Sequence, residues 1–166
     1  MYTFSVRSSF GSFGKKSIIN FPATINFPKS IVIGKDVWIR EHAWLNCSSH
    51  GEDAQLSIGD GTYIGRFVHI NAYESVVLED HVLLSDRVFI SDVHHEFSDQ
   101  SKPIIKQGVT VPKPVILKSG CWIGIGACIM PGVTVGKNAI VGANAVVTKD
   151  IPDGAIALGI PAMIKQ

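Results

Sequence analysis

Residues 92–97 read Asp-Val-His-His-Glu-Phe and set two imidazoles, His94 and His95, between two carboxylates. A free imidazole titrates near ~6.5. At neutral pH much of it is unprotonated, yet basic enough to take a proton from an attacking hydroxyl. Help of that kind is typically worth roughly 10² to 10⁴ in rate. Asn71 directly follows an aliphatic residue, and Asn is a common choice at chain corners. The plainer alternatives are a solvated histidine pair, a solvated Glu96, and an Asp92 that bonds its own backbone in a turn. A covalent route through cysteine is disfavoured, because neither Cys47 nor Cys128 has a sequence neighbour that would lower its pKa.

Stepping aliphatic residues show what must position these groups. Ile33, Ile39, Leu45; Ile58, Ile64, Ile70; Leu78, Leu84, Ile90; Leu117, Ile123, Ile129; and Val135, Val141, Val147 stand six apart within each set. This interval fits neither a helix nor a half-buried strand. It is the signature of a parallel β-helix in which each hexad is one short strand plus one corner. Glycine follows the aliphatic at 34, 59, 65, 124, 136 and 142, where a crowded corner favours a missing Cβ. The residue four after each aliphatic is mostly small or apolar, Cys121 among them, and should also point inward. Ser49, Glu74 and His94 break that column at the ends of sets, where winding should give way to loops.

The composition bounds the rest. Fifteen basic against fourteen acidic side chains leave almost no net charge, so neither nucleic acid nor an acidic membrane surface is implied as a partner. An odd cysteine count without metal-type spacing reads as a reduced, cytoplasmic protein. No signal-peptide pattern and no spanning apolar run are present. Residues 1–30 lack the six-residue interval and read as an N-terminal extension. Residues 31–152 form the β-helix, interrupted by a polar bulge at 46–55 and a long loop at 92–114. Residues 153–166 read as a tail leaving the prism. Long loops in compact domains are often functional, and this one should be partly extended. Flat apolar sides and open ends invite a closed homo-oligomer, most simply three-fold.

The stretch CWIGIGACIMPGVTVGKNAIVGANAVVTKDIPDG at 121–154, with Gly159-Ile160-Pro161-Ala162 after it, resembles the hexapeptide-repeat acyltransferases. Within them it is similar to the galactoside and maltose O-acetyltransferase branch and to enzymes that acetylate surface polysaccharides. The resemblance implies an all-β, left-handed parallel β-helix and a homotrimer with active sites in the clefts between subunits. It also implies acetyl-CoA as donor, no metal, and a sugar hydroxyl as acceptor. N-acetylation of an amino sugar, free or nucleotide-linked, is the alternative. A metal-dependent carbonic anhydrase on the same prism would need a histidine pair five apart, which is missing here.

Carried over residue by residue, the resemblance makes His95, with Phe97 two places on, the general base. Continuing the third coil by one step agrees, since it would aim His94 at the core and His95 away. Asn71 matches an acceptor contact. Trp122 is outward and should pack on the coenzyme arm or on a neighbouring subunit. Backbone at Ile125 and Ala143 matches positions that bond the arm, while Thr148 and Lys149 match its adenine and phosphate end, where Lys serves as a point charge. An Arg expected near the end is replaced by Met163, leaving Lys165 as a substitute.

Overall fold

A computed structural model describes residues 6–48 and 55–165. Ser49 and most of the expected 46–55 bulge lie outside the described residues. Strands follow each other in threes. The first turn holds β1 (Ser12–Phe13), β2 (Ile18–Ile19) and β3 (Thr24–Asn26), and the second β4 (Ile31–Ile33), β5 (Trp38–Ile39) and β6 (Trp44–Cys47). Next come β7 (Leu56–Ile58), β8 (Tyr63–Ile64), β9 (His69–Ala72), then β10 (Val76–Leu78), β11 (Leu83–Leu84), β12 (Phe89–Ser91). After the long loop follow β13 (Val115–Leu117), β14 (Trp122–Ile123), β15 (Cys128–Ile129), then β16 (Thr134–Val135), β17 (Ile140–Val141), β18 (Val146–Val147). The chain closes with β19 (Ile156–Leu158) and β20 (Met163–Ile164).

Every third strand pairs in parallel, giving a triangular prism with three sheets. Face A runs β1-β4-β7-β10-β13-β16, face B runs β2-β5-β8-β11-β14-β17-β19-β20, and face C runs from β3 through β6, β9, β12 and β15 to β18. The aliphatic sets are the ladders of this prism. Ile33, Ile58, Leu78, Leu117 and Val135 stack on face A. Ile39, Ile64, Leu84, Ile123 and Val141 stack on face B, and Leu45, Ile70, Ile90, Ile129 and Val147 on face C. All fifteen are buried, as are the small residues of the second inward column from Val37 to Ile151. Burying each such aliphatic side chain is worth about 1.5–3 kcal/mol. The corner glycines are needed for closeness: a Cβ on Gly65 would stand 2.6 Å from the carbonyl carbon of Ser85, and one on Gly124 2.7 Å from the amide nitrogen of Ala143.

Both ends correct the sequence reading. Within the supposed extension over residues 1–30, residues 12–26 wind into a further coil, with Phe13 level with Ile33, Ile19 with Ile39 and Ile25 with Leu45. Phe13, Ile19 and Ile25 keep the six-residue interval; an aromatic in the first place disguised it, and Pro22 and Pro28 fall at corners where no ladder bond is lost. The tail also stays on the prism. Ile156–Leu158 adds a parallel strand beside β17, and Met163–Ile164 folds back on it antiparallel.

Outward positions differ by face. On face B, Ile18, Trp38, Tyr63, Leu83, Trp122, Ile140 and Ile156 form one stacked apolar column along the prism. Among the described residues no helix is long and apolar enough to cross a membrane.

Candidate active site

Face C carries a cleft of about 410 Å³ at the root of the long loop. Its floor comes from positions flanking the inward ladder. Immediately before Leu45, Ile70 and Ile90 stand Trp44, His69 and Phe89. The Trp44 and His69 rings stack at 4.3 Å and 6°, and Phe89 meets His69 edge-on at 5.5 Å. Immediately after the ladder residues stand Asn46, Asn71, Ser91 and Met130, which also line the cleft.

The carboxamides form a directed column. Asn26 Nδ2 donates to Asn46 Oδ1 at 2.8 Å, and Asn46 Nδ2 donates to Asn71 Oδ1 at 3.1 Å. His69 Nε2 lies 3.1 Å from the same Asn71 oxygen. An amide oxygen only accepts, so His69 Nε2 bears the proton. Burial pushes the pKa of His69 down, with the bond to Asn71 opposing the shift. Asn71 therefore spends its oxygen inside the column and keeps its N–H₂ for the cleft. The structure places Asn71 in the wall of the cleft.

Asp92 is fully buried and anchors the loop. Its carboxylate accepts the backbone N–H groups of Tyr73, Glu74 and Ser75 from the turn one coil below, at 2.8–3.1 Å. Its own carbonyl accepts the Lys113 N–H at the loop exit, at 2.8 Å. It is a clamp on the coil below, whereas the sequence offered either a role beside the histidines, orienting an imidazole or binding the acceptor, or a local turn. The clamp also overturns the inward placement of His94. Ser91, Asp92 and Val93 are buried in succession, with Ser91 Oγ bonded to the Val93 carbonyl at 2.6 Å. That bend breaks the alternation, Val93 takes the core side, and both His94 and His95 are exposed.

Both histidines line the cleft with Asn71. The loop doubles back above them: His95 bridges Val109 antiparallel, Thr110 N–H donates to the His94 carbonyl, and Glu96 N–H donates to Gly108. The Glu96 carboxylate accepts from Phe97 and Ser98 N–H, bonds that lower its pKa, and it does not orient either ring by a hydrogen bond. A second groove of about 340 Å³ continues from the cleft, lined by Thr110, Val111, Lys113, Pro131 and Thr148. His94 and Met130 line both spaces, so they mark the junction.

Of the residues expected to hold a coenzyme, only Thr148 lines these spaces. Lys149 is exposed beside it at the corner between faces C and A. Ile125 and Ala143 lie at the opposite corner, between faces B and C, and share a feature. At lower coils a side chain closes the corner amide: Asp86 Oδ1 accepts the Arg66 N–H at 2.8 Å. Ile125 and Ala143 take the place of Asp86 in the next coils and offer no acceptor. The N–H groups of Asp86, Ile125 and Ala143 are left without a partner among the described residues. A row of bare amides suits the carbonyl groups of an amide-containing arm. Trp122 stands beside this row, its Nε1 donating to Ser85 Oγ at 3.0 Å, and belongs to the apolar column of face B. Lys165 follows β20 on the face B side, away from Thr148 and Lys149. Burial pushes the thiols of Cys47 and Cys121 up to about 12, so neither is a nucleophile. No group of His, Cys, Asp and Glu among the described residues is arranged to hold a metal.

Sequence reasoning missed the cleft floor. The signal was available: writing the hexads beneath one another aligns Trp44 with His69 and Phe89, and Asn46 with Asn71 and Ser91.

A family profile described as bacterial transferase hexapeptide (six repeats) matches residues 114–149. A galactoside O-acetyltransferase of Lactococcus lactis is 42% identical over 66 residues, which is 40% of this chain and 32% of that protein. A probable acetyltransferase of Mycobacterium tuberculosis is 36% identical over 112 residues, 68% of this chain and 37% of that one. The chain thus spans about a third of the length of these curated relatives. Among solved structures, a point mutant of AntD, an N-acyltransferase from Bacillus cereus in complex with dTDP and coenzyme A, aligns with TM-score 0.85 at 25% identity, over 100% of this chain and 88% of that one. A hexapeptide-repeat acetyltransferase from Vibrio cholerae complexed with acetyl coenzyme A aligns with TM-score 0.69 at 25% identity, over 99% and 75%. Six-residue ladders, the parallel prism and these relatives converge: the chain carries a hexapeptide-repeat domain of left-handed β-helix form, similar to that of acyltransferases.

Proposed function

We propose that the protein transfers an acetyl group from acetyl-CoA to a sugar hydroxyl, with His95 as general base. One observation carries the reading: the cleft holding His95 and Asn71 opens through His94 and Met130 into the groove that ends at Thr148. An acceptor in the cleft and a thioester in the groove would meet at the imidazoles. Holding two reactants in line supplies a large share of such catalysis.

The acceptor oxygen, held by the Asn71 N–H₂, attacks the thioester carbonyl. His95 takes the hydroxyl proton as the C–O bond forms. The tetrahedral intermediate then collapses, the C–S bond breaks, and the departing thiolate receives that proton from the imidazolium. The pantetheine arm lies along the bare amides of Ile125 and Ala143, with Trp122 beside it, and Thr148, Lys149 and Lys165 serve its far end. These residues sit at different corners of one prism. A homotrimer would bring the face B–C corner of one copy against face C of the next, and the apolar column of face B supplies a surface for that packing. The same reading places the protein in the cytoplasm, where acetyl-CoA is available, and within the synthesis of surface-polysaccharide precursors.

Thiol release from acetyl-CoA, measured over a panel of sugars, sugar nucleotides and oligosaccharides, tests the reaction. His95→Ala should lower turnover at least about a hundredfold while coenzyme affinity stays within twofold. An unchanged turnover would move the role to His94. The N-acyltransferase relative favours a second reading, transfer to a sugar amine. An amine needs less help from a base, so a small loss in His95→Ala with an amino-sugar acceptor would select it.

A further inference from the structure

Transfer at the histidines leaves the lower half of the cleft unused. We propose that Trp44 and Asn46, with Asn26 extending beyond them, form a second acceptor subsite that takes a neutral sugar residue adjoining the acetylated one. The acceptor is then an oligosaccharide rather than a monosaccharide or a nucleotide sugar. The assignment rests on the acetyl-transfer reading only for which residue of the acceptor reacts.

Length is the first argument. Asn71, Asn46 and Asn26 stand on three successive strands. Two strand spacings make a column about 10 Å long, longer than one sugar ring. The second argument is the platform. Trp44 is 43% exposed although it is stacked on His69, which Phe89 backs edge-on. A large ring fixed on one side and open to the cleft is preorganised for the apolar C–H face of a pyranose, and little side-chain freedom remains to be lost on binding.

Polar chemistry supplies the third. Each bond of the column uses one N–H, so Asn46 and Asn26 keep a further donor and a free lone pair each. Sugar hydroxyls are likewise both donors and acceptors. Charge supplies the fourth. Among the described residues lining the cleft none is Lys, Arg, Asp or Glu. A nucleotide diphosphate seated there would find no cation to offset its charge, which recognition of phosphate ordinarily requires.

The test is direct binding to the full chain, read by saturation-transfer NMR and calorimetry, with maltotriose, cellotriose and raffinose as neutral probes. Their constituent monosaccharides and UDP-glucose are the comparisons. A trisaccharide should bind at least about tenfold more tightly than its monosaccharide, the size expected for one added ring contact with its burial. Trp44→Ala should abolish that advantage and Trp44→Phe should keep part of it, while acetyl-CoA binding stays unchanged. Equal affinity for trisaccharide and monosaccharide, preference for UDP-glucose, no binding of any neutral probe, or an equal loss for all ligands in Trp44→Ala would overturn the subsite. Absence of acetyl transfer despite the expected binding would sink the reaction and leave the subsite standing.

Discussion

The same six-residue unit is finished in two ways in this molecule. In the lower coils the corner between faces B and C closes on itself: the Glu41 carboxylate takes its own N–H, and Asp86 takes that of Arg66. In the two coils above Asp86, Ile125 and Ala143 occupy the equivalent places and their amides stay open. On face C the pattern reverses. The lower coils display the side chains that make a cleft, Trp44, Asn46, His69 and Asn71, while the upper coils display Cys128 and Val146. A repeat whose core is fixed by its aliphatic ladder is therefore free to offer backbone at one level and side chains at another. The two substrates of a transfer reaction call for those two kinds of surface.

If the open corner is a binding surface, closing it should be the more damaging change. Ala143→Asp places a carboxylate where Asp86 sits relative to Arg66, and it should accept the Ile125 N–H. We expect acetyl-CoA to bind at least about tenfold more weakly, since a hydrogen-bonding site is lost and a like charge faces the phosphates, while thermal stability holds or rises. Unchanged affinity would remove this corner from the donor site. The converse substitution, Asp86→Ala, opens a corner the protein keeps closed. It should cost about 0.5–1.5 kcal/mol in urea unfolding and leave the KM for acetyl-CoA alone, because the Asp86 backbone amide is unaltered. A large rise in KM would show that the two corners do not differ as argued.

The fold was legible because hydrophobic burial repeats: the aliphatic ladders needed only the right interval. The first coil escaped because Phe13 stands where Ile or Leu was sought, and the last strand because Gly159 and Pro161 suggested departure when they form a reversal. In the site, His95 and Asn71 could be seen as individual residues, whereas the cleft floor exists only between coils, in pairs such as Trp44 with His69 that are 25 residues apart along the chain. Asp92 was misread for the same reason. Its partners, Tyr73 to Ser75, belong to another coil, and no local signal announces a carboxylate that reaches one layer down.

The smallest expected effect probes how rigid that floor is. His69 is held neutral in the fold by burial, against the bond to Asn71. Its pKa is depressed relative to the unfolded chain, so below about 6.5 the unfolded state binds the extra proton and the folded state does not. Its contribution to stability is complete above that pH and is lost as pH falls toward the depressed folded value. Glu41, held at about 2 by its own N–H and by Arg40 and Arg66, stays ionised across this window and does not contribute. His69→Gln keeps a donor for Asn71 Oδ1 and removes the titration. Between pH 7.5 and 5.5 the urea midpoint of the native protein should fall further than that of His69→Gln. Parallel declines would mean that His69 is solvated in both states, and that the carboxamide column does not depend on a fixed tautomer to aim the Asn71 N–H₂ into the cleft.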